Sequence, residues 1–402
     1  MATVDMLLEK WDGLLKTDKL DAISDPYKTK VTAQLLENQE KYLAEAANVT
    51  AGSENWDPVM ISLVRRMAPK LIAYDVCGVQ TMTGPTGLIF ALRARYSTAT
   101  PGGNPQGGAE ALFNEADTDY SGTGVHAGSN PWLAATLDTT GTAKSTAAGE
   151  LDEWNAMGVT IEKTNVVAQT RQLRADYSLE LAQDMRAIHG IDAETELSNI
   201  LSSEIISEIN REIVRKIYRV AKVGAAFATV PGTFDLQADA DGRWSVERFK
   251  GLMFALERDA NKIATETRRG KGNIIITSSD VASALAMAGI LDYAPALAGM
   301  VNLDVDATGA TFAGRAGRFK VYVDPYVSTD GYVVGFKGGN QYDAGFFYCP
   351  YVPLQMVRAT NPLNFQPALG FKTRYGIVSN PFTTIANDSN VYYRKAAILN
   401  IM

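Results

Sequence analysis

"DAETELSNILSSEIISEINREIVRKIYRVAKVG" (residues 192–224) is the longest helix signal in the chain. Leu197, Leu201, Ile205, Ile209, Ile213, Ile217 and Val220 or Ala221 recur about every four residues, which lays one broad apolar face along a helix. Asp192, Glu194 and Glu196 open it, and Arg211, Arg215, Lys216, Arg219 and Lys222 close it, both in the sense the helix macrodipole favours. Gly224 stands where a terminating residue is expected. A shorter helix, "SLELAQDMRAIH" (178–189), precedes it and stops at Gly190.

Downstream, from about Ala225 to Leu354, the pattern is α/β. A helix covers Val246 to Thr267, "NIIITS" (273–278) reads as a buried strand, and "SDVASALAMAG" (279–289) as a helix. Short strands follow in "KVYVD", "GYVVGF" and "GFFYCP". "LGFKTRYGIVSNPF" and "VYYRKAAIL" return as strands that close a sheet.

Upstream, "GLIFALRARYS" (87–97) alternates, with Ile89, Ala91, Arg93 and Arg95 on one face and Phe90, Leu92, Ala94 and Tyr96 on the other. Residues 97–153 are dominated by Gly, Ala, Thr, Ser and Asn without a sustained period, an excursion long enough to imply an exposed or functional role. "VTIEKTNVVAQTRQLRA" (159–175) comes back as a strand. Two long strands around an excursion make an extended arm that buries little by itself, so it is expected to lie on a neighbouring subunit.

The N-terminal part divides at a seam, "NQEKYLAEAANVTAGS" (38–53), charged up to Glu45 and small and neutral from Ala46. Before it, Val4, Leu7, Leu8, Trp11 and Leu15 form one helical stripe, and a second helix runs from about Lys28 to Glu45. Such a stripe either docks on the body of its own chain, which composition favours, or serves a partner. After the seam, Asp57 and Pro58 signal a helix start, with Met60, Leu63, Val64, Met67 and Leu71 on its buried face and Pro69 ending or kinking it.

With 46% hydrophobic and 21% charged residues the 402-residue chain is an ordinary globular protein with room for two or three packed units. A net charge of −7 argues against a non-specific nucleic-acid binder. Cys77 and Cys349 are far apart and read as reduced, buried thiols. The N-terminus has no secretory signal, and no apolar run is long enough for a membrane span. Chemistry is scarce: His126 and His189 lie apart, and "DTDYSG" (117–122) starts like a calcium loop but has Gly128 where the bidentate Glu belongs. No nucleotide-binding, nucleophile-elbow or zinc-protease motif occurs, so no catalytic residue, cofactor site or metal site is assigned and no enzyme activity is expected.

"LIAYDVCGVQTMTGPTGLIFALRARY", "RQLRADYSLELAQDMRAIHGIDAETELSNIL", "EINREIV", "DAGFFYCPYVPL" and "NFQPALGFKTRYGI" occur in this order and span most of residues 58–380. Together they resemble the major capsid proteins of T4-like tailed bacteriophages and their cyanophage relatives. The resemblance implies an α+β, HK97-like capsid fold with these parts: a propeptide at 1–45, an N-arm at 46–80, an E-loop at 81–175, a peripheral domain with a long spine helix at 176–224 and 356–402, and an axial domain at 225–355. The E-loop includes the Gly/Ala-rich excursion 97–153. The larger T4 protein has a longer insertion near the E-loop, so no insertion domain is expected here.

The same resemblance implies self-assembly into hexameric capsomers of an icosahedral or prolate shell around double-stranded DNA, held without sequence specificity. The implied partners are a vertex protein, a portal protein, a scaffold core, decoration proteins and a prohead protease that cuts after Glu in a Leu/Ile-x-Glu pattern. Assembly would take place in the host bacterial cytoplasm and end in the virion capsid. Among the matches beginning at Leu7, Leu35, Leu43, Leu151 and Ile206, only Leu43–Ala44–Glu45 is followed by small residues, Ala46 and Ala47. The expected cleavage site is therefore Leu43, Glu45 and Ala46, and the stripe of residues 1–15 is expected to face the scaffold core. A vertex paralogue and an encapsulin-like nanocompartment shell are the alternatives.

Overall fold

A computed structural model describes residues 4–15, 26–46, 70–97, 108–112, 115–127, 139–151, 154–240, 242, 244–289, 291–293, 311–339, 343–360, 366–380 and 388–401. The expected helix from Pro58 falls outside them. In chain order come α1 (Val4–Leu15), α2 (Pro26–Ala46), α3 (Ala73–Val76), β1 (Gly78–Val79), β2 (Thr86–Tyr96), α4 (Thr146–Leu151), β3 (Met157–Val167) and β4 (Gln169–Asp176). Then follow α5 (Leu179–Asp184), α6 (Ala193–Val220), β5 (Ala221–Val223), β6 (Thr233–Asp235), α7 (Ser245–Thr267), β7 (Ile274–Thr277), α8 (Ser279–Met287) and β8 (Leu291–Tyr293). The remainder is strand: β9 (Thr311–Ala316), β10 (Phe319–Val323), β11 (Gly331–Gly335), β12 (Phe346–Thr360), β13 (Pro367–Ser379) and β14 (Asn390–Leu399). The α+β class expected from the sequence is what these elements form.

The strands make three sheets: one of four in the order β1-β12-β13-β4, one of eight in the order β5-β14-β11-β7-β10-β9-β8 with β6 also on β14, and the pair β2-β3. Residues Leu88–Thr164 are one compact unit, and Met1–Gly87 with Asn165–Met402 are the other. In the larger unit, α6 packs on β13 and β4 of the first sheet and on β14 of the second. Its stripe is buried as the periodicity requires: Leu201, Ile205, Ile209, Ile213, Ile217 and Val220 are inside, and Ile206 and Val214 widen the face. Each such side chain contributes roughly 1.5–3 kcal/mol relative to exposure. At its start, Asp192 is extended and accepts a hydrogen bond from Thr195 Oγ1 at 2.8 Å.

α7 covers β14 and β11 with Phe249, Leu252, Leu256 and Ile263. Its buried Asp259 accepts from the Ala225 N–H and from the Tyr332 hydroxyl at 2.8 Å, which ties this helix to the sheet below. Burial pushes the Asp259 carboxyl up, against the stabilising donors.

The end of the long helix corrects one expectation, and the pairings place several strands apart from the linear division. α6 ends at Val220 and runs straight into β5, so Gly224 does not terminate it. A Cβ at Gly224 would sit 2.6 Å from Asp259 Oδ2 and 3.0 Å from the Lys395 carbonyl, so close approach is what demands glycine there. β14, expected in the peripheral sheet, lies against β11 in the eight-stranded sheet. β12 crosses the expected boundary at 355/356 and pairs with β13 along its length, while β4, expected in the E-loop, pairs with β13 from Gln169 to Asp176. Strand pairing follows hydrogen-bonding edges that lie far apart in sequence, and a linear division cannot place them.

Candidate assembly and processing surfaces

The smaller unit contains most of β2 and β3, the two-stranded arm that alternation implies. Its polarity is the reverse of a soluble hairpin's. On one face Arg93 and Arg95 converge on Glu162, with Arg95 Nη2 at 2.8 Å and Arg93 Nε at 3.3 Å, and Glu110 stands 3.7 Å from Arg93. Arg95 also donates to Thr160 Oγ1 at 3.1 Å and to the Gly108 carbonyl at 3.2 Å. The covered face is thus ionic. The opposite face presents Phe90, Leu92, Val159 and Ile161, each at least 60% exposed. An apolar strand face left open to water marks an interaction surface.

The excursion is tied into this unit. Tyr120 packs on Tyr96 with ring centroids 4.4 Å apart, and its hydroxyl accepts from the Ser97 N–H at 2.9 Å. Bridges Thr123–Thr142 and Ala127–Thr139 make a short ladder. Gly141 is required there, because a Cβ would stand 2.5 Å from Asp119 Cα. The calcium-like stretch is a self-satisfied turn: Asp119 Oδ2 accepts from the His126 N–H at 2.9 Å, and Asp117 Oδ1 from the Asp119 N–H at 3.3 Å. Among the described residues no group of three His, Cys, Asp or Glu could hold a metal ion. None of the described helices is long and apolar enough to cross a membrane.

In the larger unit the N-terminal helices dock on the body of their own chain. Leu7, Trp11 and Leu15 of α1 and Val31, Leu35 and Leu36 of α2 are buried. The stripe of residues 1–15, expected to face a scaffold core, is covered by α2 in this chain, because three large apolar side chains on a short helix find their burial there. Lys10 bridges the two helices through Glu37 at 2.9 Å and through Glu40. From α2, the Tyr27 hydroxyl donates to the Val79 carbonyl at 2.7 Å and accepts from the Val79 N–H at 2.9 Å. Asn38 Nδ2 donates to the Met82 and Tyr351 carbonyls at 2.9 and 3.3 Å. Lys28 stands 3.4 Å from Asp75.

α2 runs through Glu45 to Ala46, so the expected scissile bond belongs to the last turn of a helix rather than to an extended stretch. The side chains of Leu43, Glu45 and Ala46 fall outside the described residues. The competing matches sit differently. Leu7 and Leu35 are buried in the helix pair, and Ile206 is buried in α6. Leu151 is exposed at the end of α4, within the arm's unit.

Two ionic clusters pin α6, one to each sheet. Arg171 on β4 meets Glu208 at 2.7 Å and Glu212 at 2.6 Å, and Glu212 also takes the Tyr375 hydroxyl at 2.5 Å and Lys216 at 2.6 Å. Burial opposes ionisation of Glu212, but the bonds from Lys216, Tyr375 and Arg171 outweigh it and hold its carboxyl at about 2. At the other sheet, Asp324 after β10 is 1% exposed and accepts from Arg211 at 2.6 Å, Tyr218 at 2.9 Å and the Tyr326 N–H at 3.0 Å.

A surface-rich, chemistry-poor molecule of this kind matches a family of shell proteins. The model of the major capsid protein Gp23 family matches residues 53–398. The chain belongs to the Gp23 major capsid protein family. It is 41% identical to the major capsid protein of Serratia phage KSP90, with 92% of each chain covered. It is 40% identical to that of Salmonella phage ViI, over 98% of this chain and 97% of the relative. It is 37% identical to that of Enterobacteria phage T4, over 94% and 92%. The T4 capsid vertex protein matches at 26% over only 57% of this chain and 54% of its own. The capsid chain of Myoviridae phage XM1 resembles it loosely, with a TM-score of 0.42 at 10% identity over 82% of this chain and 92% of that one.

As a Gp23-family member the chain is a subunit of a tailed-phage capsid shell with an α+β fold, and the relatives named above are structural proteins. Sequence reading located the arm and the long helix but missed the residues that hold them. The pair Arg93 and Arg95 on one strand face, with Glu162 on its partner, was a legible signal of a covered ionic face. Tyr27, Asn38 and Asp324 carried no such signal, because the Val79, Met82, Tyr351 and Arg211 groups they bind lie 44 to 313 residues away.

Proposed function

We propose that this Gp23-family chain is the hexamer-forming subunit of an icosahedral or prolate head that encloses double-stranded DNA, and that a prohead protease matures it by cutting between Glu45 and Ala46. The carrying observation for assembly is the open apolar face of the arm, Phe90, Leu92, Val159 and Ile161, which has no reason to persist on a lone subunit. It serves as the E-loop, laid over a neighbouring copy. The sheets suggest a revised division: α6 with β1, β12, β13 and β4 as peripheral domain, and α7, α8 and the eight-stranded sheet, including β14, as axial domain.

For processing, the supporting facts are positional. Glu45–Ala46 lies in the last turn of a helix, where carbonyls lack intrahelical partners and the turn frays readily. The other matches in α1, α2 and α6 have their leading apolar residue buried. Losing residues 1–45, with six basic and nine acidic side chains, moves the net charge from −7 to −4, which eases contact with packed DNA. The vertex, portal, scaffold-core and decoration partners follow from the same reading. Mass spectrometry of the shell protein in mature particles is the test: Ala46 as first residue is expected, and Met1 or Ala2 refutes the cut.

A further inference from the structure

We propose that the polar pocket between α3 and one end of the eight-stranded sheet, lined by Arg318, Lys320 and Lys337, binds a phosphate group. Neither the hexamer nor the cut after Glu45 is needed for it.

Strand topology brings the three cations together. β7 and β10 run parallel, with Lys320 level with Ile274, and β11 runs antiparallel to β7, with Gly335 level with the same Ile274. The starts of β7 and β10 and the end of β11 therefore meet at one end of the sheet. Tyr74 and Asp75 of α3 and Tyr27 of α2 close a cavity of about 300 Å3 there. Asn273 fixes this end. Its Nδ2 donates to the Lys337 carbonyl at 2.7 Å, its Oδ1 accepts from the Lys337 N–H at 3.0 Å, and its own carbonyl accepts from the Lys320 N–H at 3.0 Å. The backbones of both lysines are thus tied to a single residue, which sets the two ammonium groups out from fixed positions.

Charge is unbalanced in this pocket. Among the described lining residues Asp75 is the one carboxylate, and Lys28 stands 3.4 Å from it. Arg318 meets Glu257 at 2.9 Å through Nη2, which leaves the other N–H groups of its fork available. Lys337 donates to the Tyr74 carbonyl and lies 5.3 Å over the Tyr27 ring. Neither Lys320 nor Lys337 makes an ion pair among the described residues. Burial pushes the Lys337 ammonium down; Lys320 and Lys28 act in the same sense, while Cys77 and Asp75 oppose it. A half-buried cation without a counter-charge is costly, and an anion in the cavity removes that cost. A phosphate group brings roughly two negative charges and three strong acceptor oxygens, enough for both ammonium groups and the Arg318 fork. A carboxylate brings a single charge and leaves one lysine uncompensated.

Calorimetric titration of the full-length, unassembled chain with inorganic phosphate, at an ionic strength held constant with sodium chloride, tests the site. Binding is expected, weakened about tenfold by Lys320→Gln as one charge-assisted hydrogen bond is lost, and abolished by Lys320→Glu. Lys320 is exposed, so both variants keep the fold, which thermal unfolding without phosphate checks. Lysine acetylation followed by mass spectrometry locates the ion: phosphate should slow modification of Lys320 and Lys337 and leave the exposed Lys163 of β3 unchanged. A short DNA duplex separates the sources of the group. Displacement of phosphate by the duplex, lost in Lys320→Gln, assigns the pocket to a nucleic-acid backbone, and phosphate binding without displacement assigns it to the free ion. Absence of phosphate binding at constant ionic strength, full affinity in Lys320→Glu, unchanged acetylation of Lys320 and Lys337, or acetate bound as tightly as phosphate each overturns the assignment.

Discussion

Replacing Glu212 by Gln removes the centre of the cluster that fastens α6 to β4 and β13, and its effect can be worked out. The carboxyl moves from 4.5 to about 2 on folding, because Lys216, Tyr375 and Arg171 outweigh burial. At ~1.4 kcal/mol per unit this sets a ceiling of roughly 3.4 kcal/mol at pH 7. The side chain keeps 22% of its exposure, and solvent screening reduces the figure to about 1.5–2 kcal/mol. A depressed carboxyl stabilises above its unfolded value and loses that contribution as pH falls through the folded one. The gap between wild type and Glu212→Gln should therefore shrink by about a quarter at pH 4 and by more than half at pH 3. Urea unfolding of the unassembled chain, followed at a helix-sensitive wavelength, measures it. A gap below about 0.5 kcal/mol at pH 7, or one that holds steady down to pH 3, refutes the assignment of the cluster as the fastening.

Arg211→Met leaves the buried Asp324 carboxylate with only Tyr218 and the Tyr326 N–H, and should cost about 3 kcal/mol in the same unfolding assay. Adding Asp324→Asn should recover part of that loss, and a double-mutant cycle without coupling would contradict the pin. Trp11→Ala, at a site 3% exposed, should cost roughly 3 kcal/mol locally and make the N-terminal helices the first segment cut in limited proteolysis. Phe90→Ser with Ile161→Ser should leave subunit stability within about 0.5 kcal/mol yet abolish particle formation in light scattering, since both side chains are already in water.

The fold was legible wherever burial on one face imposed a period. α6, α7 and the strands β7, β10, β11 and β13 lie within a few residues of their expected positions because Ile, Leu and Val repeat at helical or alternating spacing. Destination was not legible. β14 reads as a strand from its own residues, but which sheet it joins depends on the β11 edge some sixty residues earlier. The polarity of the arm was half visible: its alternation and the cross-strand pairing of Arg93 and Arg95 with Glu162 were legible, but apolar burial alone would have covered the opposite face. For the candidate site, the Glu45–Ala46 seam appeared as a change in composition, while its helical setting depends on α2 continuing through Ala44 to its seat by Val79 and Met82.

The apolar face of the arm and the edge of β1 differ in how open they are, and the difference bears on assembly. The apolar face of the arm is open to water, so contacts through it need no prior rearrangement of the subunit. The β1 edge, by contrast, is covered by Tyr27 and Asn38 of α2. Reversible contacts let misplaced subunits leave, because each is weak on its own. Arg95→Ala subunits, with the ionic face of the arm loosened, should consequently fail to form particles, whereas Tyr27→Phe, which alters only the covered β1 edge, should assemble normally, and gel analysis of particle yield distinguishes the two variants.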